Sequence, residues 1–204
     1  MEIPGWGAWS WAVGSQMLLK NAANEAVRVM CVLDSDYHTP NQIANRKLKA
    51  EKKGVWLHIW AKKEIENYLL VPEAIARNIT NSVRNGTSPP TAKMVESRLE
   101  AEAVALTNKI TDGFSQEFYT DDRDGGLSRS NENARELIKR KRIDGVRLID
   151  LAPGKELFSR LSAWAQTEYG VSFSATSIAR TIHRQELSGE LCDVIREIEE
   201  AGTV

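Results

Sequence analysis

Two aspartates one residue apart, Asp34 and Asp36, follow directly on the apolar run at residues 27–33. Two glutamates at the same spacing, Glu64 and Glu66, follow on the next β-rich run. Carboxylates gathered past a strand end can hold a hard divalent cation, because Mg²⁺ and Mn²⁺ take oxygen ligands. Such an ion neutralises phosphoryl oxygens and activates a water, which is what phosphodiester hydrolysis requires. In an extended chain, residues two apart project to the same side, so Asp34 and Asp36 are expected to face one ion. The carboxyl ends of parallel strands are also where α/β folds place ligands. A plainer expectation stands beside this one: Asp-Ser-Asp is a polar turn, and Glu64 and Glu66 are helix-start charges matched to the dipole. Spacing alone favours the plainer reading for Glu64 and leaves Glu66 open.

The elements that must position these groups read as an α/β pattern. Residues 27–33 (VRVMCVL) have the β-branched, continuous apolar character of a strand buried on both faces of a parallel sheet. Thr39-Pro40 opens an Ala- and Lys-rich surface helix over residues 40–53. Residues 55–60 alternate and form the next strand, so the rhythm is strand, helix, strand. Before them, Glu2-Ile3-Pro4-Gly5-Trp6-Gly7 reads as a strand end entering a glycine turn, followed by a helix from Ser10 to Ala23. Beyond them, residues 62–70 suggest a short helix, and Pro72 a further helix through Asn78. Residues 80–92 are a polar loop, 92–110 a helix, 111–133 a second mobile connection, and 131–142 a basic helix. A short strand is expected at 146–151, with helices at 155–168 and 174–200.

Other residues carry weaker signals. His38, two positions past Asp36, could touch a metal or phosphate, but a solvated loop histidine is the plainer expectation. His58 lies in a strand pattern and is expected to be structural. His183 is expected on a solvated helix face beside Arg180 and Arg184. Trp6, Trp9 and Trp11 could stack on bases, although burial is the simpler role. The basic run Lys139–Arg142 could meet phosphates or be a solvated helix end. Asp121, Asp122 and Asp124 form an acidic loop that is a weak candidate for a second metal.

Net charge is −1, so the total charge does not point to a nucleic-acid partner, and local clusters or a bound ion would have to supply the attraction. The two cysteines, Cys31 and Cys192, have no zinc spacing. Cys31 is expected to be a small buried hydrophobe. No apolar stretch approaches the roughly 20 residues that span a bilayer, and the N-terminus lacks a signal-peptide basic region. Together these features favour the cytoplasm.

The combination VLDSDYH, then a strand, then KEIENYLL resembles the Toprim domain of OLD-family nucleases. Residues 3–7 (IPGWG) resemble that family's second Toprim strand and glycine turn, and Pro153-Gly154-Lys155-Glu156-Leu157 a late "GK" motif. The likeness covers about residues 3–78 and 150–200. It implies a mostly parallel Toprim-like sheet flanked by helices, with a helical C-terminal part. The implied domains are a core at 1–80, a helical insertion at 81–145 and a completing segment at 146–204. It further implies a Mg²⁺- or Mn²⁺-dependent endonuclease acting on DNA more than RNA, in phage defence, with an ATPase domain in cis or in trans and homo-oligomeric assembly in the full protein. Asp34 and Asp36 would be the metal-binding pair, Glu66 the further acidic ligand, and Lys155 the base that stabilises phosphoryl charge. One departure matters: the family's first glutamate precedes the Pro-Gly segment, and Glu2 is on the wrong strand to replace it. The chain is therefore expected to be the C-terminal portion of a larger protein. Rival readings are a catalytically impaired binding or regulatory module, a DxD phosphatase (which wants Thr or Val where His38 stands) and a DxD glycosyltransferase, which lacks its own nucleotide-binding strand here.

Overall fold

The computed structural model describes residues 6–23, 29–84 and 86–201. In chain order, a short 3₁₀ turn at Trp6–Ala8 leads into α1 (Trp9–Ala23), β1 (Met30–Leu33), α2 (Pro40–Lys53) and β2 (Trp56–Ile59). A 3₁₀ turn at Ile65–Tyr68 then precedes α3 (Pro72–Ser82), α4 (Ala92–Ala105), α5 (Thr107–Asp121), α6 (Gly126–Ile143), α7 (Leu148–Leu151) and α8 (Gly154–Tyr169). The chain closes with α9 (Ala175–Ala179), a 3₁₀ turn at Arg184–Glu186 and α10 (Gly189–Ala201). The described residues are thus mostly helical, around a two-stranded parallel sheet. No helix among them is long and apolar enough to cross a membrane. The chain divides into two compact units, one made of residues up to Ala61 together with those from Gly189 onward, the other spanning Lys62–Ser188.

In the first unit, β1 and β2 pair in parallel register from Met30 opposite Trp56 to Leu33 opposite Ile59. The ladder is extended by Trp56 N–H to Val29 O and Trp60 N–H to Leu33 O, at 3.1 and 3.0 Å. The crossover is α2, and its limits follow from local chemistry. Thr39 caps the start: its hydroxyl accepts from Gln42 N–H at 3.2 Å while Gln42 Oε1 accepts from Thr39 N–H at 2.8 Å. Pro40 occupies the first turn, where no N–H is needed. Gly54 ends the helix at φ 66°, a left-handed conformation that glycine adopts without strain. Cys31, Leu33, Val55 and Ile59 are buried with Ala12 and Ala50, and Trp6, Trp9 and Ile43 pack on this core. Cys31 is buried as expected, and burial pushes its thiol pKa up against the opposing pull of Arg46.

The second unit is helical, built on stripes with i, i+4, i+8 spacing. Val95, Leu99 and Ala103 form one on α4, and Leu157, Leu161 and Ala165 form another on α8. α4 packs on α3, α7 and α8, and α5 pairs with α6.

Several expectations are corrected. Residues 146–151 are not a strand; Leu148–Leu151 is a helical turn that buries Ile149 and Leu151. Residues 111–133 are not a mobile connection. Ile110 and Phe114 are buried on α5, and Ala134 and Leu137 on α6, so apolar spacing overrides a polar composition. The long helix expected at 92–110 breaks at Leu106. The segment 174–200 contains α9, a 3₁₀ turn and α10 rather than one helix. The 62–70 segment holds only a 3₁₀ turn. Residues 1–5, including Glu2 and most of the Pro-Gly segment, lie outside the described residues.

Candidate functional site

The chain enters the DxD from the end of β1. Asp34 and Ser35 continue past the strand, and the backbone then turns. His38 N–H donates to Ser35 O at 3.1 Å, and Asp36 sits at φ 45°. Aspartate tolerates this left-handed region better than most residues do. The alternation argument therefore fails beyond Ser35, because the backbone leaves the extended region at Asp36. Asp34 and Asp36 are both half-buried. The carbonyl of Asp34 accepts the indole N–H of Trp6 at 2.8 Å, tying the strand exit to the start of α1.

His38 is not a solvated loop residue. Its ring packs at a 35° tilt against Trp6 with centroids 3.6 Å apart, and its Nδ1 lies 3.0 Å from Gln42 Oε1. The Arg46 guanidinium lies over both Trp6 and Trp9, at 4.8 and 5.1 Å from the ring centroids. These groups border a groove of about 410 Å³ lined by Trp6, Gly7, His38, Gln42, Asn45, Arg46 and Lys49. Apart from Trp6 and Gly7, its walls come from His38 and one face of α2. The signal for that face was in the sequence: Gln42, Arg46 and Lys49 recur at helical spacing.

The Glu64–Glu66 stretch belongs to the second unit, where it meets the segment that leads into α8. Glu64 is buried. Its Oε1 pairs with Lys63 Nζ at 2.6 Å, and its Oε2 accepts the backbone N–H of Lys155 at 3.1 Å, in the first turn of α8. The carboxylate is thus a helix-start charge, on α8 rather than on its own turn. Burial raises its pKa, but the hydrogen bonds from Lys63 and Lys155 and the charge of both lysines outweigh that, and the net shift is downward. Asn67 is the pivot of this junction. Its side-chain N–H₂ donates to Ile149 O and Ala152 O at 2.7 and 3.0 Å, while its Oδ1 accepts Glu64 N–H at 2.9 Å. Lys62 Nζ pairs with Asp150 at 3.1 Å and lies over the Tyr68 ring.

Glu66 is arranged differently. Its Oε1 is 3.7 Å from Lys155 Nζ, whose side chain is 72% exposed. Its Oε2 is buried with no hydrogen-bond partner among the described residues. The likeness-derived pair of Glu66 and Lys155 is therefore brought together, and Glu66 presents one oxygen with unused acceptor capacity. Sequence reasoning missed Lys63, Asn67 and Asp150, which hold the junction. A lone Asn between Ile65 and Tyr68 was the available hint, since a polar residue inside an apolar run must be hydrogen-bonded.

The donor chemistry suits a hard cation, as the candidate ligands are all carboxylate oxygens. Yet among the described residues no group of three or more His, Cys, Asp or Glu side chains is arranged to hold a metal ion. A cation here would take one or two protein carboxylates and complete its shell with water and phosphate oxygens, the usual habit of Mg²⁺. Among the weaker candidates, Asp122 accepts from Gly125 N–H at 3.1 Å and lies 3.8 Å from Arg129, so it closes the α5–α6 turn. His58 is structural, with Nε2 3.0 Å from Glu190 Oε1. His183 precedes a 3₁₀ turn rather than lying in a helix, and its N–H donates to Glu186.

No family model, no curated protein and no solved structure matches this chain.

Proposed function

We propose that the chain is the metal-dependent nuclease part of a Toprim-type, OLD-like protein that hydrolyses phosphodiester bonds in DNA. The observation that carries this reading is the exit of β1. Asp34 and the turn at Asp36 lie at the carboxyl end of a strand in a parallel strand–helix–strand unit, where such folds bind ligands. This unit would be the core of a Toprim-like sheet. Asp34 and Asp36 are assigned to Mg²⁺ or Mn²⁺, and the family likeness would make Glu66 the further acidic ligand. Lys155, exposed beside Glu66, is assigned to the negative charge that builds on the phosphoryl group. When bound, the cation would polarise the phosphoryl oxygen and lower the pKa of a water. An ATPase region, in cis or in trans, and self-assembly in the cytoplasm complete the proposal.

The test is nicking of supercoiled plasmid by the full-length protein with Mg²⁺ or Mn²⁺. Asp34→Ala is expected to lower the rate by at least about a hundredfold, the scale lost when one group that stabilises the transition state is removed. Undiminished nicking by that variant overturns the site. A second reading, a module that binds without cutting, is favoured by the lack of a three-donor group among the described residues. It predicts DNA binding with no metal-dependent nicking by the unmodified protein.

A further inference from the structure

We propose that the groove between Trp6, His38 and α2 is a seat for one nucleotide of a single nucleic-acid strand. The lining has the three chemistries that a nucleotide demands. Arg46 and Lys49 offer positive charge, and among the described residues no acidic side chain lines the groove. The contacting rings of Trp6 and His38, inclined at 35° to each other, offer an aromatic surface, and bases stack on indole and imidazole regardless of sequence. The side-chain amide of Asn45 offers both donors and an acceptor for a base edge, beside Gln42, whose Oε1 is taken by Thr39 and His38.

The groove is also built rather than incidental. Arg46 is held over Trp6 and Trp9, His38 is held by Gln42, and Gln42 is itself fixed by the α2 cap. Rings and cation are thus oriented before a ligand arrives, which reduces the ordering cost of binding. Lys49 and Asn45 are exposed and reach outward from the same face. Trp6 additionally donates to the carbonyl of Asp34, so the seat is coupled to the strand exit that carries the DxD. A duplex offers its bases only at their edges, whereas an unpaired strand can splay a base onto the rings. The seat therefore selects unpaired nucleotides. It names the substrate form of the proposed nuclease, and it rests on that reading only for what becomes of the strand once held.

The experiment is fluorescence anisotropy with a labelled twelve-nucleotide single strand, its duplex, and unlabelled nucleoside monophosphate as competitor, all in EDTA so that no cleavage intervenes. The single strand is expected to bind more tightly than the duplex. Lys49→Glu should weaken it roughly tenfold, and Lys49→Ala should reduce the slope of log Kd against log salt by about one. His38→Ala should erase the preference for the single strand, and His38→Phe, which keeps a ring, should retain it. Competition by the monophosphate at millimolar concentration or below would place a lone nucleotide in the same seat, and lack of competition would show that strand context is needed; both keep the assignment. Equal affinity for strand and duplex, or indifference to both Lys49 changes with unaltered melting curves, overturns it. If EDTA binding follows these variants but plasmid nicking is absent in every metal, the seat stands and the nuclease reading falls. If nicking depends on Asp34 while Lys49→Glu binds normally, the reverse holds.

Discussion

Two acidic pairs share one spacing in this chain and have opposite physical lives. Glu64 and Glu66 begin a 3₁₀ turn, where residues two apart diverge. Glu64 is buried against Lys63 and the α8 N-terminus, while Glu66 keeps an uncommitted oxygen and an exposed lysine partner. Asp34 and Asp36 straddle the point where extended chain gives way to a left-handed turn. The lesson is that one acid of a spaced pair can serve the fold and the other remain available, and the local backbone decides which.

The comparison is broken most sharply by removing charge from each glutamate in turn. Glu64→Gln should cost on the order of 3 kcal/mol in urea unfolding, because it removes one charge of a buried ion pair with Lys63. Glu66→Gln should cost less than about 1 kcal/mol, since its partner is solvated, while slowing any metal-dependent nicking. Comparable stability losses in the two variants would erase the distinction. Next in size is Gly154→Ala. An added Cβ would sit 2.7 Å from Asn67 Oδ1 and 3.1 Å from the Asn67 backbone nitrogen, so the junction must shift, at roughly 1–3 kcal/mol. A melting temperature within error of the unmodified protein would show that the junction yields.

The pH dependence has a definite sign. Glu64 has a lowered pKa in the folded state, so its contribution is fully present above the ordinary value of 4.5 and is lost as pH falls through the lower folded value. Stability should therefore decline on acidification below about that value, and the decline should be shallower in Glu64→Gln. The smallest effect concerns Asp36. Asp36→Asn keeps a residue that tolerates positive φ and should change stability by less than about 0.5 kcal/mol, whereas Asp36→Val should cost about 1–2 kcal/mol. If Asp36→Asn also leaves nicking untouched, the charge at this position has no catalytic part.

The first sixty residues were largely legible. A continuous β-branched run, a Thr-Pro helix start and an alternating strand are strong local signals, and β1, α2 and β2 appear where those signals lie. The second unit was less so, because its decisive interactions join residues distant in sequence. That Asn67 would grip the carbonyls of Ile149 and Ala152 is not written in the residues around it. Residues 146–151 have strand-like composition but are folded by packing into a helical turn, an instance of tertiary context overriding propensity. At the candidate site, Asp34 and Asp36 were read from their spacing past a strand end, Glu66 was left open by spacing and singled out by motif likeness, and Lys155 came from that likeness alone. A polar turn at Asp34–Asp36 and a helix-start role for Glu64 were the plainer expectations; the left-handed φ at Asp36 and the choice of α8 as the helix served came from coordinates. The groove was half visible, as a basic helix face whose aromatic wall sits some thirty positions upstream.

The first unit is discontinuous: Glu190, at the start of α10, receives the N–H of Ala61 and meets His58. The uninterrupted stretch 62–188 can consolidate as it emerges, whereas the segment before it must wait for α10 before the His58 and Ala61 contacts with Glu190 can form. Removing α10 would thus injure a strand exit on the far side of that stretch, by taking the Glu190 acceptor from His58 and Ala61.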